Sequence, residues 1–190
     1  MVVQSTDSQL VTQALQQDDA AWEALVHLHQ EPVFRLSYLL LGDADEAEDN
    51  AQETFLRAYH ALHRYDLERP LRPWLLSIAG NLARNRRRSV GRYMGALQRF
   101  WQSEPWHSKS VEDASHERSR SQALWQAVQK LSPDYQQVIY LRYFLEMSVE
   151  ETADALGTAP GTVKSRLHRA IDRLRQVVES DYPGLKEYLE

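Results

Sequence analysis

Apolar residues in this chain recur at three- and four-residue steps, the spacing that lines one face of a helix. Between residues 18 and 88 the sets are Trp22, Leu25, Val26, Leu28, then Val33, Leu36, Leu39, Leu40, then Ala51, Phe55, Ala58, Leu62. Breaks are predicted at Pro32, at Gly42-Asp43 and over the stretch from Tyr65 to Pro73. A further helix is predicted over 73–88, with Pro73 tolerated in its first turn. The texture changes from 89 to 120, where Gly91, Gly95, Pro105 and scattered serines leave little periodicity. A second helical block opens at Ser121, with Leu124, Trp125, Val128, Leu131, then Val138, Leu141, Leu145, then Val149, Ala153, Leu156. No period-two alternation stands out, so the expected fold is all-α. Two small helical domains are expected, joined by a flexible linker. The divisions read from the pattern are a polar N-terminal segment (1–17), a first domain (18–90), a linker (91–120), a second domain (121–178) and a short acidic tail (179–190).

The most specific local signals lie after residue 131. Ser132-Pro133-Asp134 reads as a helix start: a capping serine, a proline whose missing N–H does no harm, and an acid near the positive helix end. Ser148 and Glu151 have capping-box spacing, and Gly157 suits a left-handed helix stop. Only Thr158 and Ala159 intervene before Pro160 opens the next helix, the connection expected of a helix-turn-helix. In that last helix Val163, Leu167, Ala170 or Ile171, and Leu174 form an apolar stripe. Thr162, Lys164, Ser165, Arg166, His168 and Arg169 occupy the remaining surface. Placed in a major groove, such a set supplies phosphate anchors and donors for base edges.

Composition narrows the function classes. With 190 residues, 43 % hydrophobic and 26 % charged, the chain reads as an ordinary soluble protein. It has no cysteine, which removes disulfides, thiol catalysis and cysteine-bound metal. No apolar run approaches the roughly 20 residues of a spanning helix, and 1–17 lacks the look of a secretory signal. A cytoplasmic location without membrane insertion is expected. The net charge of −5 argues against nucleic acid until its distribution is read. Residues 43–53 carry six acids and no base, whereas 84–99 carry six arginines and no acid, and 164–175 is basic again. Screening confines each field to about 10 Å, so separate basic patches can hold phosphate on an acidic protein.

These motifs together resemble the extracytoplasmic-function (ECF) sigma factors of the sigma-70 family. The run Gly161-Thr162-Val163-Lys164-Ser165-Arg166-Leu167-His168-Arg169-Ala170 looks like their region 4 signature. Residues 47–58 (AEDNAQETFLRA) and 73–81 (PWLLSIAGN) are similar to two helices of region 2. The resemblance implies a dissociable subunit of core RNA polymerase with no catalytic chemistry and no cofactor. It would recognise the −10 and −35 promoter elements and help open promoter DNA. Asp49, Gln52 and Glu53 match the polymerase-docking helix, and their i, i+3, i+4 spacing puts them on one face. Asn81 and Asn85 match positions facing the −10 element, with Arg84 and Arg88 adding phosphate attraction. Thr162, Lys164, Ser165, Arg166, His168 and Arg169 match the −35 contacts. The loop 65–73 corresponds to the segment that holds a base flipped from the non-template strand.

The chain departs from the family pattern at Leu71, often aromatic, at Pro73, often small and polar, and at Ala159, often a capping serine or threonine. Trp74 is read as a core residue. An anti-sigma factor is implied as a further partner. The alternative is a helix-turn-helix regulator acting without polymerase, which would leave the acidic helix and the Trp74 helix unexplained. A di-iron enzyme would need Glu-x-x-His pairs, and none occurs.

Overall fold

The computed structural model describes residues 2–97 and 123–188. Every regular element among them is helical. The first half contains α1 (Val2–Leu15), α2 (Asp19–Leu41), α3 (Ala44–Ala61), a 3-10 turn (Leu62–Arg64) and α4 (Leu71–Leu97). The second contains α5 (described over 123–129), α6 (Pro133–Ile139), α7 (Val149–Leu156) and α8 (Pro160–Asp181). A π-type turn over Tyr140–Phe144 extends α6, and a 3-10 turn over Pro183–Tyr188 follows α8. The linker expected over 91–120 lies outside the described residues from 98 onward.

Local chemistry sets the ends of α2 and α3. The Asp18 side chain accepts from the N–H groups of Ala20 and Ala21 at 3.0 and 3.2 Å. Asp43 accepts from Glu46 N–H at 2.9 Å. Between them Gly42 takes φ +80°, a left-handed conformation that costs glycine little. Pro32 does not break α2, contrary to the sequence expectation. Leu25, His29, Val33, Leu36, Leu39 and Leu40 are buried along the same helix, and their packing outweighs a proline cost of about 3 kcal/mol. Leu36, Leu75, Leu76, Phe55 and Ala79 form the core between α2, α3 and α4. A polar side chain ties all three: buried Asn50 donates to Ser37 Oγ at 2.9 Å and to the Ala79 carbonyl at 3.1 Å.

The second half is organised around Tyr140, whose side chain is fully buried. Its ring stacks on Trp125 at 5.6 Å and meets Phe144 edge-on at 5.6 Å. Gln129 Nε2 donates to its hydroxyl at 3.0 Å. Ser132 sits at the start of α6 in extended backbone but makes no side-chain cap, so the proline at the first helical position carries that start. The capping box of α7 is complete. Ser148 Oγ accepts from Glu151 N–H at 3.0 Å, and the Glu151 carboxylate accepts from Ser148 N–H at 2.7 Å. We expect Ser148→Ala to cost about 1 kcal/mol and to lower the melting temperature by about 4–8 °C, as circular dichroism on heating would measure.

Three further features differ from the sequence pattern. Residues 2–15 form a helix whose Val11 and Ala14 are buried, where the pattern predicts only a polar segment. Helix α4 begins at Leu71 and runs on to Leu97, past the predicted end at 88. Beyond α8 the tail turns back and buries Leu185.

Candidate nucleic-acid interface

Helix α8 is held by an apolar stripe. Val163, Ala170, Leu174, Val177 and Val178 are buried, and α7 packs on it across a turn stopped by Gly157 at φ +61°. That packing turns a basic face outward. Lys164, Ser165, His168 and Arg169 are exposed, while Thr162 and Arg166 are half-buried at its edge. Arg169 Nε donates to the Ser165 carbonyl at 3.1 Å, and Ser165 Oγ to the Thr162 carbonyl at 3.1 Å. His168 lies 3.3 Å from Asp172. These are bonds within one exposed helix surface, and they are easily exchanged for phosphate or base-edge contacts. Ala159 makes no cap, yet Pro160 at the first helical position keeps the helix start intact.

On α4 the arginines and asparagines divide by direction. Asn81 and Asn85 are exposed, one turn apart. Arg84 turns toward the second half of the chain, donating to Gln137 Oε1 at 2.6 Å and lying 3.5 Å from Asp134. Arg87 donates to Gln136 Oε1 at 2.7 Å. Arg72 reaches the Leu145 carbonyl at 2.8 Å. Gly80 permits this approach, since a Cβ there would stand 2.3 Å from Gln137 Nε2. The backbone of α4 passes through Arg88, whose side chain lies outside the described residues. The periodicity of the sequence does not reveal Gln136 and Gln137. Both are polar residues at buried positions, and a buried amide needs partners from elsewhere. That requirement is the one sign the sequence offers.

The loop before α4 shapes a cleft of about 340 Å³. The Tyr65 ring lies 5.0 Å from Trp74, tilted by 44°, and its hydroxyl donates to the Arg69 carbonyl. Burial pushes the Tyr65 phenol up to about 12, with the carboxylates of Asp7 and Asp66 adding to the rise. It stays protonated and donating at neutral pH. Arg64, Asp66, Arg69, Pro70, Pro73, Ser77 and, from α7, Asp154 complete the cleft wall. Trp74, read from the sequence as a core residue, is half-buried and packs against the core, and it also walls this cleft with Tyr65. Leu71, at a position often aromatic in the family, is 2 % exposed and anchors α4 in the core instead.

Asp49 and Gln52 are exposed on α3 and Glu53 partly so. Asp49 lies 3.6 Å from Arg86, and Glu53 accepts from Arg57 Nε at 2.6 Å. Gln52 borders an apolar groove of about 660 Å³ between α2 and α3, lined also by Val26, Phe34, Ala51 and Phe55. Phe34 stacks with Tyr38 at 6.3 Å, and both rings are exposed (38 % and 44 %). Exposed aromatics beside a groove are a feature that docking surfaces share. Of Asp49, Gln52 and Glu53, only Gln52 lines this groove. Among the described residues no cluster of His, Asp and Glu is placed to hold a metal, and no helix is long and apolar enough to cross a membrane.

The comparisons with known proteins agree with this geometry. The Sigma-70 region 2 profile matches residues 25–93, and the Sigma-70, region 4 profile matches 121–174. The chain is 33 % identical to the ECF RNA polymerase sigma factor SigW of Bacillus subtilis over 174 residues, covering 87 % of this chain and 93 % of the relative. It is 34 % identical to the ECF sigma factor SigL of Mycobacterium tuberculosis over 170 residues, covering 89 % and 95 %. Among solved structures, CnrH in complex with the cytosolic domain of CnrY superposes with a TM-score of 0.68 at 26 % identity, covering 93 % of this chain and 99 % of that one. The sigma factor RpoE in complex with the anti-sigma factor NepR from Bartonella quintana gives 0.63 at 26 % identity, covering 84 % and 97 %. With both region profiles matched in order along the chain, the protein belongs to the ECF RNA polymerase sigma factors of the sigma-70 family.

Proposed function

We propose a division of labour among three surfaces of this sigma factor. The α3 face with Asp49, Gln52 and Glu53, together with the groove beneath it, docks on core RNA polymerase. Asn81, Asn85, Arg84 and Arg88 of α4, with the 65–73 loop, engage the −10 element. Thr162, Lys164, Ser165, Arg166, His168 and Arg169 of α8 engage the −35 element. The observation that carries this reading is the outward basic face of α8, backed by buried Val163 and Ala170 and aimed by a fully capped α7.

The domain limits follow from the same assignment: 18–90 binds polymerase and −10 DNA, and 121–178 binds −35 DNA. Residues 91–120 connect the two. A −10 phosphate drawn to Arg84 competes with the Gln137 and Asp134 contacts it makes to the second half. Flipping a base out of the non-template strand costs a few kcal/mol, and the Tyr65–Trp74 cleft offers aromatic stacking to offset it. The chain acts in the cytoplasm, where its polymerase is, and performs no catalysis of its own. By likeness to RpoE, solved with the anti-sigma factor NepR, an anti-sigma protein restrains it.

Run-off transcription with core polymerase and genomic fragments tests the reading. Discrete transcripts from a restricted set of fragments are expected. No transcript from any fragment, despite core binding shown by pull-down, would overturn it.

A further inference from the structure

We infer that α1 braces the −10 loop, with Asp7 and His29 acting as positioning residues for recognition of the −10 strand. The inference rests on the reading above that the 65–73 loop receives that strand. Asp7 and His29 are 8 % and 5 % exposed, and both carboxylate oxygens lie 3.1 Å from His29 Nε2. A buried acid in α1 is thereby joined to a buried imidazole in α2, 22 positions along the chain. Such pairs are costly to break because the group left behind has no water to turn to.

The bond fixes more than α1. Asp7 and Ser8 form one wall of a cleft of about 350 Å³ whose opposite wall is the loop from Leu67 to Leu71. The two ends of the loop have anchors of their own. Tyr65 is held by the Arg69 carbonyl and by Trp74, and Leu71 is buried in the core. Its middle has only a local turn, where the Asp66 side chain accepts from Glu68 N–H at 3.1 Å and lies 3.4 Å from Arg69 Nε. Leu67 there is 42 % exposed. The wall supplied by α1 faces the middle of the loop across this cleft and bounds how far the loop can move toward the helix. The Asp7 carboxylate also acts electrostatically on Tyr65, which walls the aromatic cleft on the loop's other side. A pocket that must hold a flipped base gains affinity when it is ordered beforehand.

Holoenzyme made with the full chain provides the test. The probes are a single-stranded oligodeoxynucleotide carrying the −10 element of a promoter mapped by run-off transcription, its scrambled counterpart, and a −35 duplex. Asp7→Ala should weaken binding of the matched strand by about tenfold and shrink the preference over the scrambled strand to match. Affinity for the −35 duplex and for core should stay unchanged, since buried Val11 and Ala14 still hold the C-terminal half of α1 while its Asp7 end is released. Asp7→Asn keeps an acceptor for His29 and should restore most of the preference. Ser8→Trp leaves the buried pair intact and crowds the cleft, so it should lower the preference without moving the melting temperature.

A wild-type holoenzyme with no preference for the matched strand would overturn the −10 reading and this inference with it. A wild-type preference that Asp7→Ala and Ser8→Trp both retain would overturn the brace alone. So would an Asp7→Ala chain that loses −35 and core binding in equal measure while Ser8→Trp keeps the preference.

Discussion

Replacing Lys164 and Arg169 together by alanine is expected to weaken binding of a −35 duplex by about 100-fold while core polymerase binding is retained. An arginine donating in bidentate fashion to a guanine edge is worth about 1–3 kcal/mol, and a lysine on phosphate adds a salt-dependent share. Both side chains are exposed, and the Arg169 guanidinium donates to a carbonyl of its own helix. The folded chain is therefore little weakened when they go. The α3 residues proposed to dock on polymerase belong to the other half of the molecule, which is why the two activities are expected to separate. Fluorescence anisotropy across a salt series, beside a polymerase pull-down, measures both. The slope of log affinity against log salt should fall by about one for each phosphate anchor removed. Equal loss of DNA and core binding would refute the separation of roles.

The second large effect concerns Tyr140. Truncating a fully buried aromatic to alanine costs about 3–5 kcal/mol, and the ring packing against Trp125 and Phe144 disappears with it. A half-chain domain has little stability beyond that. Tyr140→Ala is therefore expected to melt the second half while α2, α3 and α4 remain folded. Calorimetry should then show only the transition of the first half, with −35 binding abolished and core binding kept.

Tyr140→Phe is a milder control that removes only the Gln129 bond. It also bears on alkaline stability. Burial raises the Tyr140 phenol above its ordinary value of 10.0. The folded state thus holds its proton more tightly than the unfolded chain. Stability is fully present below pH 10 and drains away as pH rises toward the folded value. The phenylalanine variant should lose less stability above pH 10 than the parent. An identical alkaline decline in both would assign it to other groups.

Much of the site is legible in the chain because its determinants are local. Ser148, Glu151, Gly157 and Pro160 act within a few residues of themselves, and each serves as the cap, stop or start that its spacing predicts. Ser132 has the look of a side-chain cap and is not one, because the proline after it already carries the helix start. Pro32 has the look of a break and is not one, because burial along α2 exceeds the local cost. The N-terminal segment looks merely polar. Its helix is docked through Val11 and Ala14 and through a polar pair with a residue 22 positions away, which no short window contains.

Helical class, the two blocks and the basic face of α8 are all written in the order of residues, since periodicity, capping and charge belong to near neighbours. What the arginines of α4 bind is settled only when distant segments meet. Arg84 and Arg87 each bond a glutamine about fifty positions on, while Arg86 lies 3.6 Å from Asp49 of α3. The same holds for Leu71, which serves the core, and for Trp74, which faces a cleft. The physical reason is common to all of them. A buried amide, an interdomain guanidinium and a loop wall acquire partners only when distant segments pack, and the energy of that packing resides in no single stretch of the chain.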